Sequence, residues 1–248
     1  MTAVEAYRAV LRSLEEWDTF LLEHSGLPGP RANLELAHAV SLEGSAERFW
    51  RYVALGPEMA PTNMPQVLLV VCGVLGLGRL LAGGEASVLA DLRRLASDPR
   101  WRVREAVAMA LQSWGDSDMP ALLGAMHRWS AGTCLEQRAA AAAVAEPRLL
   151  RRAEHAERVL DLLDAITASI VSQSERKSED FRILRQGLGY CWSVAVAALP
   201  DVGMGRMERW LRSSDPDVRW VMRENLRKKR LAKLDPEWVG RGLEALAT

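Results

Sequence analysis

Strand-forming residues are scarce in this chain: Ile and Thr together supply 9 of 248 positions. Strands recruit β-branched residues, so the shortage argues against a β-sandwich, a barrel or a doubly wound α/β fold. Cysteine is almost absent too. Cys72, Cys134 and Cys191 stand in apolar settings with no Cys-x-x-Cys pair. An odd number of scattered thiols suits a reducing cytosol rather than a disulfide framework, and a cytoplasmic location is expected. Charge of one sign is missing, since Lys+Arg and Asp+Glu both total 32. No global field then draws the protein to nucleic acid or to a membrane. Long apolar runs are also lacking: the strongly apolar stretch 67–77 has 11 residues, against about 20 needed to span a bilayer. Near the N-terminus Glu5, Arg8 and Arg12 break any signal-peptide core. Finally, no His-Glu-x-x-His, Gly-x-Ser-x-Gly or Walker motif occurs, which leaves the standard hydrolase and NTPase chemistries without residues.

What is abundant is helix-forming. Leu and Ala number 36 and 35, both good helix formers, and the apolar spacing is helical nearly from end to end. Val4, Tyr7, Val10, Leu11, Leu14, Trp17 and Leu21 read as one stripe on a first helix, stopped by Gly26 and Pro28-Gly29-Pro30. Short helices over 33–42 and 46–55 follow, then the apolar helix that ends at Gly83-Gly84. Later helices are expected over 88–96, 102–114, 119–129, 134–145, 153–172, 181–199, 206–211 and 218–231, with a last one after Asp235-Pro236.

The informative feature is a repeat. Val103-Arg104 and Val218-Arg219 each follow an Asp-Pro turn and open a helix. Arg104 lies 34 residues before Arg138, and Arg185 lies 34 before Arg219, so all four arginines head a second helix of a unit. A period of this size with two helices per unit reads as an α-solenoid. The interval from Arg138 to Arg185 is 47 residues, so a central unit carries an insertion. The expected fold class is therefore all-α, a right-handed α-solenoid of about six or seven hairpins. It would be one domain over 1–248, with irregular helical repeats at 1–84, regular repeats at 85–231 and a capping helix at 232–248.

Asp98-Pro99…Val103-Arg104-Glu105-Ala106 and Asp215-Pro216-Asp217-Val218-Arg219 resemble the HEAT-repeat signature. That resemblance implies a ladder of turn aspartates and second-helix arginines, here Asp98, Asp215, Arg104, Arg138, Arg185 and Arg219. Arg104 and Arg219 would grip the carboxylate and carbonyls of their turns, and Arg219→Ala would lower the melting temperature clearly. The segment from Gly187 to Arg230 also resembles uncharacterised bacterial HEAT-repeat proteins. Phe181-Arg-Ile-Leu-Arg185-Gln-Gly187-Leu-Gly189-Tyr190 and Trp101-Arg-Val-Arg104 are similar to segments of the HEAT-like DNA-alkylation-repair glycosylases. This second resemblance implies nucleic-acid binding.

Candidate binding residues come from two anomalies. Nine tryptophans are many for a chain with 6% aromatic residues. Trp101 and Trp220, each beside an arginine at a helix start, are the best placed to offer a stacking platform. The stretch 206–241 holds 11 Arg/Lys against 6 Asp/Glu, and Arg223, Arg227, Lys228 and Lys229 in it are candidate phosphate contacts. Gly73-x-x-Gly76-x-Gly78 lacks the spacing of a dinucleotide loop and reads as helix packing. Glu35-x-x-His38 occurs once, where a di-iron bundle needs two copies. No catalytic residue, metal or cofactor is expected. A protein or peptide bound on a concave face is the favoured partner, a nucleic acid at the basic C-terminal region the alternative, and a membrane is not expected.

Overall fold

A computed structural model describes residues 1–247, and it is all-α, with no strand among the described residues. The chain divides into two compact units, Met1–Ser117 and Asp118–Thr248.

The first unit holds α1 (Ala3–Ser13), α2 (Asp18–Glu23), α3 (Leu34–Glu43), α4 (Ala46–Val53), α5 (Val67–Ala82), α6 (Val88–Leu95) and α7 (Trp101–Ser117). Every residue from 67 to 78 is buried, as a helix apolar all round must be. Around it α3, α4 and α7 pack, and α1 packs on α3, so alternate helices α1, α3, α5 and α7 lie side by side. Glycines in α5 permit the close approach. A Cβ at Gly76 would stand 2.2 Å from the Phe49 ring of α4, and one at Gly78 would stand 2.7 Å from the Ala110 Cα of α7. The glycine-rich run is thus helix interior. α5 has 16 residues, and no described helix is long and apolar enough to cross a membrane.

The expected single N-terminal helix is two. Glu16 ends the first stretch because its carboxylate accepts the backbone N–H groups of Trp17 (2.8 Å) and Asp18 (3.2 Å), which starts α2 afresh. Glu43 at the end of α3 ties down α1: Arg12 donates to it at 2.8 and 2.7 Å and Arg8 at 2.6 Å. Arg12, with Arg8 beside it, holds the Glu43 carboxyl down at about 2 from an ordinary 4.5. A depressed carboxylate contributes stability that is full above its unfolded value and fades as pH falls through its folded value. Glu43→Gln should therefore cost stability at neutral pH, and its deficit against the parent should shrink between pH 4.5 and about 2. Parallel urea titrations across that range would show it; a deficit independent of pH would contradict the pairing.

The second unit holds α8 (Met119–Trp129), α9 (Cys134–Val144), a 3-10 turn (Pro147–Leu150), α10 (Ala153–Val171), α11 (Glu179–Ala198), α12 (Pro200–Leu211), α13 (Pro216–Leu226), α14 (Lys229–Leu234) and α15 (Pro236–Ala245). Again alternate helices adjoin: α9, α11 and α13 in one layer, α8, α10 and α12 in another. The alanine run of α9 lets α11 approach, and Trp192 of α11 is fully buried with its indole N–H on Thr167 Oγ1 at 2.9 Å. Two boundaries differ from the sequence expectation. Pro200 opens α12 six residues before Arg206, because proline suits the first helical position, whose N–H has no partner anyway. The expected helix 218–231 breaks at Arg227–Lys228, and the new direction buries Leu231 completely.

Candidate functional site

Asp98 sets the start of α7. Its carboxylate takes the backbone N–H of Arg100 at 2.8 Å and the Arg100 guanidinium at 2.8 and 2.7 Å. Sequence spacing gives that carboxylate to Arg104; the structure does not. Arg104 instead donates to the carbonyls of Asp98 (2.6 Å) and Pro99 (2.9 Å), because Arg100, two residues from the aspartate, reaches the carboxylate first.

With the turn fixed this way, Trp101 is the first residue of α7 and 45% exposed. Arg102 turns inward and is only 6% exposed. Its Nε donates to the Thr62 carbonyl and its Nη2 to the Gly29 carbonyl, both at 3.0 Å. Its guanidinium carbon lies 4.3 Å from the centre of the Trp101 ring. Two carbonyls are its acceptors, and no carboxylate among the described residues pairs with it. Burial alone acts on its charge and pulls its pKa below the ordinary arginine value. The Nη1 hydrogens have no acceptor among the described residues, and the side chain lines a cleft.

Trp101 and Arg102 line a cleft of about 430 Å³ in the Met1–Ser117 unit. Glu105, Ala106 and Met109 continue its wall along one face of α7, Val71 of α5 joins them, and the segment Pro30–Glu35 closes the other side. The chemistry is an apolar floor beside a buried cation, with Glu35 and Glu105 both exposed at the edge. Trp101 is the one lining residue singled out from the sequence as a binding candidate. The i, i+4, i+8 spacing of Trp101, Glu105 and Met109 is a legible signal for one helix face. Nothing local marks Arg31, Leu34 or the carbonyl acceptors of Arg102.

The remaining candidates lie in the second unit. Trp220 is half-buried, with the Arg185 guanidinium 4.4 Å from its ring centre. Arg185 also donates to Asp217 at 2.7 Å, and Arg138 packs beside Gly187. Among the basic residues, Arg223 is committed to the Leu246 carbonyl at 2.5 Å and Arg227 pairs with Glu224 at 2.9 Å. Lys228 is half-buried and Lys229 exposed, and neither forms an ion pair among the described residues. Arg230, beside them, stacks 4.6 Å from the centre of the Tyr190 ring and donates to its hydroxyl.

The Asp215 carboxylate is not held by Arg219. It caps α13 through the N–H groups of Asp217 (3.0 Å) and Val218 (3.1 Å), and Arg176 donates to it at 2.6 Å. Burial works to raise its pKa, but Arg176 and the cap N–H groups hold it below the ordinary value. Arg219 makes a single long contact, 3.4 Å, to the Ser213 carbonyl. The reason is that Arg176, from the polar segment 172–178, also bridges Asp217 and two carbonyls at the end of α10, and so occupies the carboxylate side of the turn. Arg176→Ala is accordingly expected to cost about 1–2 kcal/mol and Arg219→Ala under about 1 kcal/mol. Equilibrium denaturation of the two variants decides it, and the reverse order would restore Arg219 as the structural residue.

Glu35 lies on the cleft and His38 follows it on α3; no group of three or more His, Cys, Asp or Glu that could hold a metal ion occurs among the described residues. No protein-family model and no curated protein matches the chain.

Proposed function

We propose that this protein is a non-catalytic helical-repeat scaffold of the HEAT-like kind, acting in the cytoplasm, which binds a peptide or protein segment in the cleft of its Met1–Ser117 unit. The alternating adjacency α1–α3–α5–α7 and α9–α11–α13 supports reading each unit as stacked hairpins, the second-helix arginines marking their spacing. The observation that carries the binding proposal is the half-exposed Trp101 at a cleft whose apolar wall includes Val71, Ala106 and Met109. A cavity of this volume, mostly apolar with a few convergent polar groups, suits a short segment of a ligand. Tryptophan beside arginine is what interface centres recruit.

The nucleic-acid alternative rests on Lys228, Lys229 and the Arg230–Tyr190 stack. Arg223 and Arg227 are engaged within the protein, which lowers the number of phosphates the region can neutralise.

Selection of a random peptide library on the full chain tests the main reading. Peptides should bind saturably, and Trp101→Ala should weaken them by at least about tenfold, or about 1.4 kcal/mol, with an unchanged melting temperature. Recovery of no saturable peptide, together with duplex-DNA binding that falls steeply between about 50 and 200 mM salt, would replace it with the nucleic-acid reading.

A further inference from the structure

We infer that the cleft of the Met1–Ser117 unit recognises the C-terminal carboxylate of a peptide, which docks on the Nη1 hydrogens of Arg102 while the last side chain lies against Trp101, Val71 and Met109. This rests on the peptide-binding reading above and specifies its ligand.

Four observations converge on it. A guanidinium has five N–H donors and a planar fork matched to a carboxylate. Arg102 uses two of its nitrogens on the Thr62 and Gly29 carbonyls, which hold the fork rigidly and leave Nη1 with no acceptor among the described residues. Burying a cation without a counter-charge is costly. The nearby Arg100 shows the usual solution in the same fold, a bidentate carboxylate. Arg102 is nearly as buried as Arg100 and has no carboxylate partner among the described residues, a place that a bound carboxylate would fill.

Charge at the rim selects among anions. Glu35 and Glu105 line the cleft and outnumber the exposed Arg31 there, so a nucleic-acid strand or an acidic run would bring several negative charges against them. A peptide end presents one. The volume of about 430 Å³ has room for the last residues of a chain. Trp101 supplies the apolar platform, with one face already backed by the guanidinium.

The test uses arrays of short random-sequence peptides made in two forms, with a free C-terminal carboxylate and with a C-terminal carboxamide, probed with the full-length protein and followed by solution titration of the binders. Amidation should weaken binding by at least about tenfold, and Arg102→Gln should erase the difference between the two forms. Because the comparison of acid and amide needs only the unmodified protein, it stands even where Arg102→Gln fails to fold. Peptides that bind equally well as amides overturn the carboxylate inference and leave the peptide-binding function intact. Amidated peptides that bind only through an internal Asp or Glu overturn the choice of the chain end. Duplex DNA that displaces the bound peptide overturns the choice of carboxylate over phosphate. If no peptide of either form binds, the proposed function itself falls.

Discussion

Arg100→Ala is expected to destabilise the Met1–Ser117 unit by about 3–5 kcal/mol, the cost of breaking a buried ion pair from one side. Arg100 and Asp98 have side chains only 4% and 9% exposed. The pair is bidentate, at 2.8 and 2.7 Å. The remaining nitrogen, Nη1, donates to the Leu55 carbonyl at 2.9 Å and the Ala60 carbonyl at 3.2 Å, so the same side chain pins the proline-rich connection between α4 and α5. Truncation leaves Asp98 charged and buried and orphans two carbonyls. Arg104→Ala removes only contacts to the carbonyls at 98 and 99 among those described above and should cost about 1–3 kcal/mol. Urea denaturation of the two variants, monitored by circular dichroism, ranks them. A loss for Arg100→Ala below about 1 kcal/mol, the range of an exposed pair, would show that the turn is held by something else.

That ranking shows which part of the ladder can be read from sequence. The Asp-Pro turns are legible and the helix starts nearly so: expected at 102 and 218, they lie at 101 and 216, where Pro216 takes the first helical position and Asp215 accepts the cap N–H groups. The partner of each carboxylate is not legible. For Asp98 it is Arg100, two residues on, and for Asp215 it is Arg176, 39 residues back. Spacing cannot distinguish these from Arg104 and Arg219, since an arginine can reach several positions around a turn. The α1–α2 break is hidden for a similar reason. The apolar stripe runs unbroken through Trp17, and the helix ends because a Glu16 side chain competes for backbone N–H groups. At the cleft, the α7 face is legible as a periodic stripe. The opposing wall at 30–35 comes from about 70 residues upstream, and only tertiary packing places it there. The carbonyl acceptors of Arg102, at Thr62 and Gly29, likewise come from tertiary packing, which no motif records.

The fully buried Asn225 gives the second large effect. It lies on α13 and makes three hydrogen bonds at 2.8 Å: its Nδ2 donates to the carbonyls of Leu188 and Val221, and its Oδ1 accepts the backbone N–H of Ser193. Two of these tie α13 to the middle of α11, where Ser193 and Trp192 are also fully buried. Asn225→Ala should cost about 2–4 kcal/mol, because it leaves a cavity and removes three buried hydrogen bonds. Asn225→Asp separates the hydrogen-bond account from a packing account, since its volume is nearly unchanged. At neutral pH the aspartate can still accept from Ser193, but its second oxygen faces two carbonyls with no proton to give. The ionised form is then disfavoured in the folded state, so its folded pKa lies above the unfolded one. A carboxyl raised in this way makes the folded state bind the extra proton, and stability relative to the parent rises as pH falls. Asn225→Asp should therefore be at least as unstable as Asn225→Ala near pH 7 and should recover toward the parent at about pH 5, where protonation restores a donor. Urea titrations of the three proteins at both pH values give the answer. An Asn225→Asp variant as stable as the parent at neutral pH would mean that Leu188 and Val221 do not depend on the amide, and that packing alone joins α13 to α11.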